Sequence, residues 1–182
     1  MDENKKQLLQ IFFQRAFQRG NFVLASGATS SYYIDSKKAL FNSQAIDLLG
    51  TVMFEVAKAL RPNAIGGLEV GAIPLTAAVL GKFHQSGISL EGFFVRKKVK
   101  DHGSKQRIEG QVKAGDRVVI LDDVLTTGGS AMEAFDEVEK AGATVAGVIC
   151  IVDRLQGAKE LFQKKCPFHS IFTIDDFLNY PS

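Results

Sequence analysis

The stretch VVILDDVLTTGGSAMEAF, residues 118–135, decides the fold. Branched apolar residues from Val118 to Leu121 suit a strand buried on both faces. They run straight into adjacent carboxylates, Asp122 and Asp123, then into Thr126-Thr127-Gly128-Gly129-Ser130, and then into a segment with helical spacing. Strand, glycine turn and helix in that order belong to a parallel sheet covered by helices. In such folds ligands bind beyond the carboxyl ends of the strands, where the two acids stand.

The turn and the acids ask for different chemistry. A helix that starts after the glycines leaves its first N–H groups unpaired, and with the helix dipole they favour an anion. Gly128 and Gly129 let the backbone wrap closely, and the hydroxyls of Thr126, Thr127 and Ser130 add donors. A phosphate monoester fits. Asp122 and Asp123 only accept, so they suit hydroxyls or a hydrated cation. Phosphate and sugar hydroxyls side by side describe a ribose 5-phosphate. The patterns GxxxxGK[ST] and GxGxxG are absent, which weighs against nucleoside triphosphates and dinucleotides. The tetrad alone also reads as an ordinary helix cap; the double acid directly before it favours a site.

Outward from this stretch the chain alternates. Leu8/Leu9, Phe12/Phe13 and Ala16/Phe17 give a first apolar helical face, with the helix expected to end at Gly20. Residues 21–41 read as irregular or short-strand structure. A helix capped by Asn42-Ser43 carries Ile46, Leu49, Val52, Met53, Val56 and Leu60 on one side and stops before Pro62. Then follow a strand over 64–68, a helix over 74–85 opened by Pro74, a strand over 91–96 and a charged loop to about Gly115. The strand over 117–121 leads to a helix over 130–141 closed by Gly142. A strand over 144–152, a helix over 158–164 and a last strand over 170–174 complete the pattern. The expected class is α/β, with a central, mostly parallel sheet flanked by helices.

Composition sets bounds. The 182 residues suit one domain, and 46% apolar with 23% charged residues is close to globular averages. A formal net charge of +2 does not by itself point to nucleic acid. The N-terminus lacks the apolar core of a signal peptide, and no apolar run approaches the roughly 18 residues of a membrane span. Cys150 and Cys166 show no metal-ligand spacing and read as reduced thiols of a cytoplasmic protein.

The second informative stretch is VRKKVKDHGSKQRIEG, residues 95–110. From Arg96 to Arg107 its cations outnumber Asp101, giving a local charge of about +5. With Gly103 and no apolar periodicity it reads as a mobile loop. Beside a phosphate site its charge would attract a polyanion and offset charge on a departing group. No aromatic residue interleaves the cations, which counts against single-stranded nucleic acid. Histidine is the side chain suited to proton transfer near neutrality, which makes His102 a candidate proton donor.

VVILDDVLTTGGS resembles the phosphoribosyl-pyrophosphate signature of the type I phosphoribosyltransferases. The resemblance implies that Asp122 and Asp123 hold the ribose hydroxyls and that Val124, Leu125 and Thr126–Ser130 surround the 5-phosphate. The basic loop narrows the likeness, because Arg96, Lys97, Lys100, His102 and Gly103 match the catalytic loop of the orotate phosphoribosyltransferases. FVLASGATSSYYID, residues 22–35, resembles that family's stretch before the base pocket, with Tyr33 placed to pack on a planar pyrimidine. GGLEVGAIPL, residues 66–75, looks like its pyrophosphate loop, with Gly66, Gly67 and Gly71 permitting close backbone approach. Arg154, in the IVDR segment, matches the arginine that binds orotate, and Thr126 also falls at the orotate site. The chain departs from one branch of the family at Ala25, where lysine is expected, and at Val70-Gly71, where Tyr-Lys is expected. Glu69 is unexplained by this likeness, with facing away from the site and engaging the metal both open.

The likeness spans roughly residues 20–180 and carries the family's properties as expectations. These are a type I phosphoribosyltransferase fold in one domain, with residues 1–41 forming a helix and a hood that a C-terminal segment completes over the base site. The implied reaction joins orotate to the ribose 5-phosphate of phosphoribosyl pyrophosphate, giving orotidine 5-monophosphate and pyrophosphate in UMP biosynthesis. Mg²⁺ is implied, held mainly by substrate phosphates and water rather than by protein ligands. A homodimer with shared sites is implied, with Arg96, Lys100 and His102 acting across it and Lys97 acting within its own subunit. Neither nucleic acid nor membrane is an implied partner.

Overall fold

A computed structural model describes residues 1–23, 29–98 and 106–181. Helix α1 (Glu3–Arg15) is capped by Asp2, whose carboxylate accepts from Lys5 N at 2.8 Å, and buries Leu8, Leu9 and Phe12. It stops short of the expected Gly20, because Phe17 already opens a strand. Strands β1 (Phe17–Val23) and β2 (Thr29–Ile34) form an antiparallel hairpin. Helix α2 (Lys37–Leu40) leads to α3 (Ser43–Ala59), where the Asn42 side chain accepts from Ala45 N at 3.0 Å, as its cap role predicts.

The central sheet then begins with β3 (Ala64–Leu68), followed by α4 (Ala72–Gln85), β4 (Glu91–Val95) and the short β5 (Ile108–Gly110). Helix α4 starts two residues before Pro74, which sits harmlessly in the first turn because its missing N–H would lack a partner there. Strand β5 lies within the stretch expected as loop; it pairs antiparallel with β4. The expected mobility of the basic loop, together with Lys100 and His102, falls on residues 99–105, outside the described residues.

Strand β6 (Arg117–Leu125) continues past Leu121, so Asp122 and Asp123 belong to the strand rather than to a following loop. Its neighbour holds it in register, with Asp122 opposite Cys150 and Leu125 opposite Asp153. Helix α5 (Gly129–Lys140), strand β7 (Thr144–Asp153), helix α6 (Ala158–Gln163), strand β8 (Phe168–Thr173) and helix α7 (Ile174–Leu178) complete the chain. The last helix was not expected. Its start is a capping box, in which the Asp176 carboxylate accepts from Thr173 N at 2.7 Å.

Strand order in the six-stranded sheet is β5-β4-β3-β6-β7-β8, parallel except for β5. From β3 the chain moves outward to β4; from β6 it moves the other way to β7. The order therefore reverses between β3 and β6, and a crevice opens beyond their carboxyl ends. Helices α1, α3 and α4 pack one face around Phe12, Met53 and Phe83, while α5 and α6 pack the other around Phe135 and Phe162.

Two glycines expected to approach a ligand prove structural. A Cβ on Gly66 would lie 2.1 Å from Phe93 O, and one on Gly67 would lie 2.0 Å from Leu121 O. Both are buried inside β3, where their small size lets the neighbouring strands and helix close up. The hairpin joins the C-terminal segment through Arg19, which donates to Leu178 O at 2.7 Å, and through Phe17 against Phe177. The N-terminal hairpin and the C-terminal helix thus pack on each other.

Candidate active site

Alternation along β6 sends its two carboxylates to different neighbours. Asp122 is 5% exposed; its Oδ2 accepts from Ser130 Oγ at 2.6 Å and its Oδ1 from Asp123 N at 2.8 Å. Burial pushes its carboxyl up to about 7, the neighbouring Asp123 charge adds to the rise, and the Ser130 hydroxyl partly opposes it. Asp123 accepts a short hydrogen bond from Ser36 Oγ at the start of α2. On its other side stands Gly71, where a Cβ would come within 2.5 Å of the Asp123 carboxyl carbon. Asp122 thus belongs with the phosphate turn, and Asp123 with α2 and the loop after β3.

The turn from Thr126 to Ser130 is pinned from outside. Leu125 O accepts from Arg154 N at 2.9 Å, and Thr126 O accepts from Ala158 N at 3.2 Å. Gly128 turns the chain with φ 90, a left-handed conformation, and has Phe162 and Leu161 close against the position of its absent side chain. Helix α5 begins at Gly129, and space is open around that residue. The first N–H groups of α5 have no intrahelical partner, and Ser130 of that turn lines the crevice.

A cleft of about 310 Å³ brings Gly71, Lys97, Asp122, Asp123, Val124 and Ser130 together. Lys37, Glu69 and Val70 also line it. Glu69 finds a role here: its Oε1 accepts from Lys97 N at 2.8 Å, tying the loop after β3 to the root of the basic loop. Arg96 turns elsewhere, its guanidinium 3.8 Å from the Glu109 carboxylate. Arg154 follows β7 and donates from Nε to the Tyr32 hydroxyl at 3.2 Å, with its guanidinium 4.9 Å from the Tyr32 ring centre. Tyr33 lies on the opposite face of β2, 41% exposed and 5.5 Å from the Phe22 ring. Ala25 is outside the described residues.

Sequence reasoning missed Ser36, Lys37 and the Tyr32 hydroxyl. It also missed Arg107, which donates to Arg96 O at 2.7 Å and pairs with Glu133 and Glu137 on α5. No local motif marks any of these residues. Among the described residues, no three His, Cys, Asp or Glu side chains gather as a metal cage.

The phosphoribosyl transferase domain family matches residues 40–177. An orotate phosphoribosyltransferase of Rhodopirellula baltica is 39% identical over 177 residues, covering 93% of this chain and 92% of that one. A second, from a Bradyrhizobium species, is 40% identical over 180 residues, covering 96% and 97%. Among solved structures, the orotate phosphoribosyltransferase of Mycobacterium tuberculosis H37Rv in complex with 5-phospho-alpha-D-ribosyl 1-diphosphate superposes with a TM-score of 0.80 at 30% identity, covering 96% of this chain and 98% of that one.

Proposed function

The chain belongs to the phosphoribosyltransferase family, among its orotate phosphoribosyltransferases, and from that premise we propose how its cleft joins orotate to the ribose 5-phosphate of phosphoribosyl pyrophosphate. The observation that carries the reading is the crevice between β3 and β6, where paired carboxylates directly precede a glycine turn into a helix N-terminus. Asp122 and Asp123 accept from the ribose 2- and 3-hydroxyls. The first turn of α5, with the hydroxyls of Thr127 and Ser130, takes the 5-phosphate. The pyrophosphate then extends toward Gly71 and Lys97, and Arg154 offers a planar fork to the orotate carboxylate. Thr126 completes the orotate site, with the Tyr32 hydroxyl holding Arg154; Tyr33, expected at this site, lies on the other face of β2 against Phe22.

As the bond from the anomeric carbon to pyrophosphate breaks, its electron pair leaves with the pyrophosphate and positive charge develops on the ribose; a ring nitrogen of orotate forms the new bond with inversion and gives up its N–H proton to solvent. The protein's work is positioning and charge stabilisation. Lys97 acts within its own subunit, while Arg96, Lys100 and His102 of a second copy meet the leaving pyrophosphate, His102 as its proton donor. The chain works as a homodimer and one domain, in the cytoplasm, supplying orotidine 5-monophosphate for UMP synthesis. Among the described residues no helix is long and apolar enough to cross a membrane.

Enzymes of this family use Mg²⁺ with phosphoribosyl pyrophosphate. The cleft suits such an ion, because its anionic donors are the carboxylates of Glu69, Asp122 and Asp123, a hard oxygen set without His or Cys. Mg²⁺ would be held mainly by the substrate's phosphates and water and would offset charge on the pyrophosphate.

Loss of orotate absorbance on adding phosphoribosyl pyrophosphate and Mg²⁺ tests the reading. Turnover of uracil or a purine in place of orotate would overturn it. Asp123→Asn should raise KM for phosphoribosyl pyrophosphate by at least about tenfold, since hydrogen bonds to a charged acceptor contribute about 1.5–3 kcal/mol.

A further inference from the structure

The cleft is dominated by acids, yet its proposed substrate carries several negative charges on phosphates. Its described lining includes two cations, Lys97 and Lys37. Lys97 belongs to the basic loop; Lys37 comes from the first residue of α2, far away in sequence. We propose that Lys37 is a substrate-binding residue that holds an anionic oxygen of the pyrophosphate group from within the same subunit.

Position argues for the pyrophosphate end. Asp122 bonds to Ser130 and so marks the 5-phosphate end of the cleft. Asp123 bonds to Ser36 and lies against Gly71, marking the opposite end. Lys37 directly follows Ser36, which is 2% exposed and held rigidly by that bond. The Lys37 ammonium sits 3.1 Å from Asp35 Oδ1, and its side chain is 56% exposed, open to the cleft. An ammonium has three donors, so one can stay on Asp35 while the others reach a phosphate oxygen. Asp35 thereby keeps the long side chain aimed and reduces the entropy lost when the anion arrives. Asp35, and less strongly Asp123, hold the ammonium above its ordinary range, so it stays charged throughout the neutral region.

Gly71 leaves room for this arrangement. With glycine at 71 the loop after β3 contributes backbone at this point and no cation, and a Cβ there would come within 2.5 Å of the Asp123 carboxyl carbon unless that side chain shifted. Positive charge must reach the pyrophosphate from another element, and α2 presents it from across Asp123.

The inference rests on the phosphoribosyl-transfer reading, and its test separates the two. Binding of pyrophosphate, phosphoribosyl pyrophosphate and ribose 5-phosphate, each with Mg²⁺, is measured by calorimetry on the wild type, Lys37→Ala and Lys37→Gln. Both variants alter an exposed side chain, so the fold should survive; thermal melting checks this. Affinity for pyrophosphate and phosphoribosyl pyrophosphate should fall roughly ten- to a hundredfold, the range for one lost charge-assisted hydrogen bond. Ribose 5-phosphate binding should change less than about threefold, because its phosphate sits on α5. Unchanged pyrophosphate affinity, or an equal loss for ribose 5-phosphate, overturns the role of Lys37. Failure of the wild type to consume orotate while it still binds these ligands would instead overturn the choice of base.

Discussion

Asp122 shows what the site costs the fold. It is a buried carboxyl beside a second carboxylate, and its titration rises from 3.8 to about 7. The folded protein therefore holds this proton more tightly than the unfolded chain does between those values. Stability contributed by the protonated form is complete below the unfolded value, declines as pH rises and is gone above about 7. Asp122→Asn keeps the shape and can still accept from Asp123 N and donate to the Ser130 hydroxyl, without the buried charge. It should melt above the wild type at pH 8, with the difference shrinking toward pH 4, while turnover falls because the ribose loses an anionic acceptor. Thermal denaturation across that range is the check, and an equal difference at both ends would mean that burial does not set this carboxyl's titration.

Arg107 does at the scale of elements what Asp122 does within the cleft. Its guanidinium donates to Arg96 O and to Glu133 and Glu137 of α5, with Arg107 Nε 2.9 Å from Arg96 O. Both roots of the basic loop are thus anchored on the helix whose N-terminus serves the phosphate. Cutting this hub leaves Arg96 O without its partner and two carboxylates near each other, so Arg107→Ala should cost about 1–3 kcal/mol of stability. It should also lower kcat more than it raises KM for orotate, because loop placement is disturbed and Arg154 is not. Denaturant unfolding and steady-state kinetics measure the two effects; a parent-like kcat would remove the anchoring role. Legibility follows from the same contrast. Asp122 to Ser130 could be read because strand end, acids and turn are contiguous, and the 3.6- and 2-residue periods located most helices and strands. Ser36 reaches Asp123 across 87 positions, and Arg107 reaches Glu133 across 26. Nothing local marks such partners. The end of β6 was placed too early because polar residues usually close a strand, whereas pairing with β7 carries this one on through Asp123.

For the molecule as a whole, the question is whether one chain builds a complete site. Lys97 lines the cleft of its own chain, while the neighbouring Arg96 guanidinium turns toward Glu109 on β5. Adjacent residues of one loop root thus point different ways, consistent with the proposed division in which Lys97 serves its own subunit and Arg96 and Lys100 serve the other. Two-fold dimers make this division testable, since each site would pair one copy's Asp123 with the other copy's loop. Assayed with phosphoribosyl pyrophosphate well below the raised KM of Asp123→Asn, the Lys100→Ala and Asp123→Asn proteins should each keep little activity as homodimers. In a hybrid dimer, one site takes its intact Asp123 from the first variant and its intact loop from the second; the other site takes both lesions. Random reassortment makes half the dimers hybrid with one working site each, so activity should return to about a quarter of the wild-type value. Co-expression with distinct affinity tags isolates the hybrids, and a turnover count on them gives the answer. If each loop served its own cleft, both sites of the hybrid would carry one lesion and no activity would return.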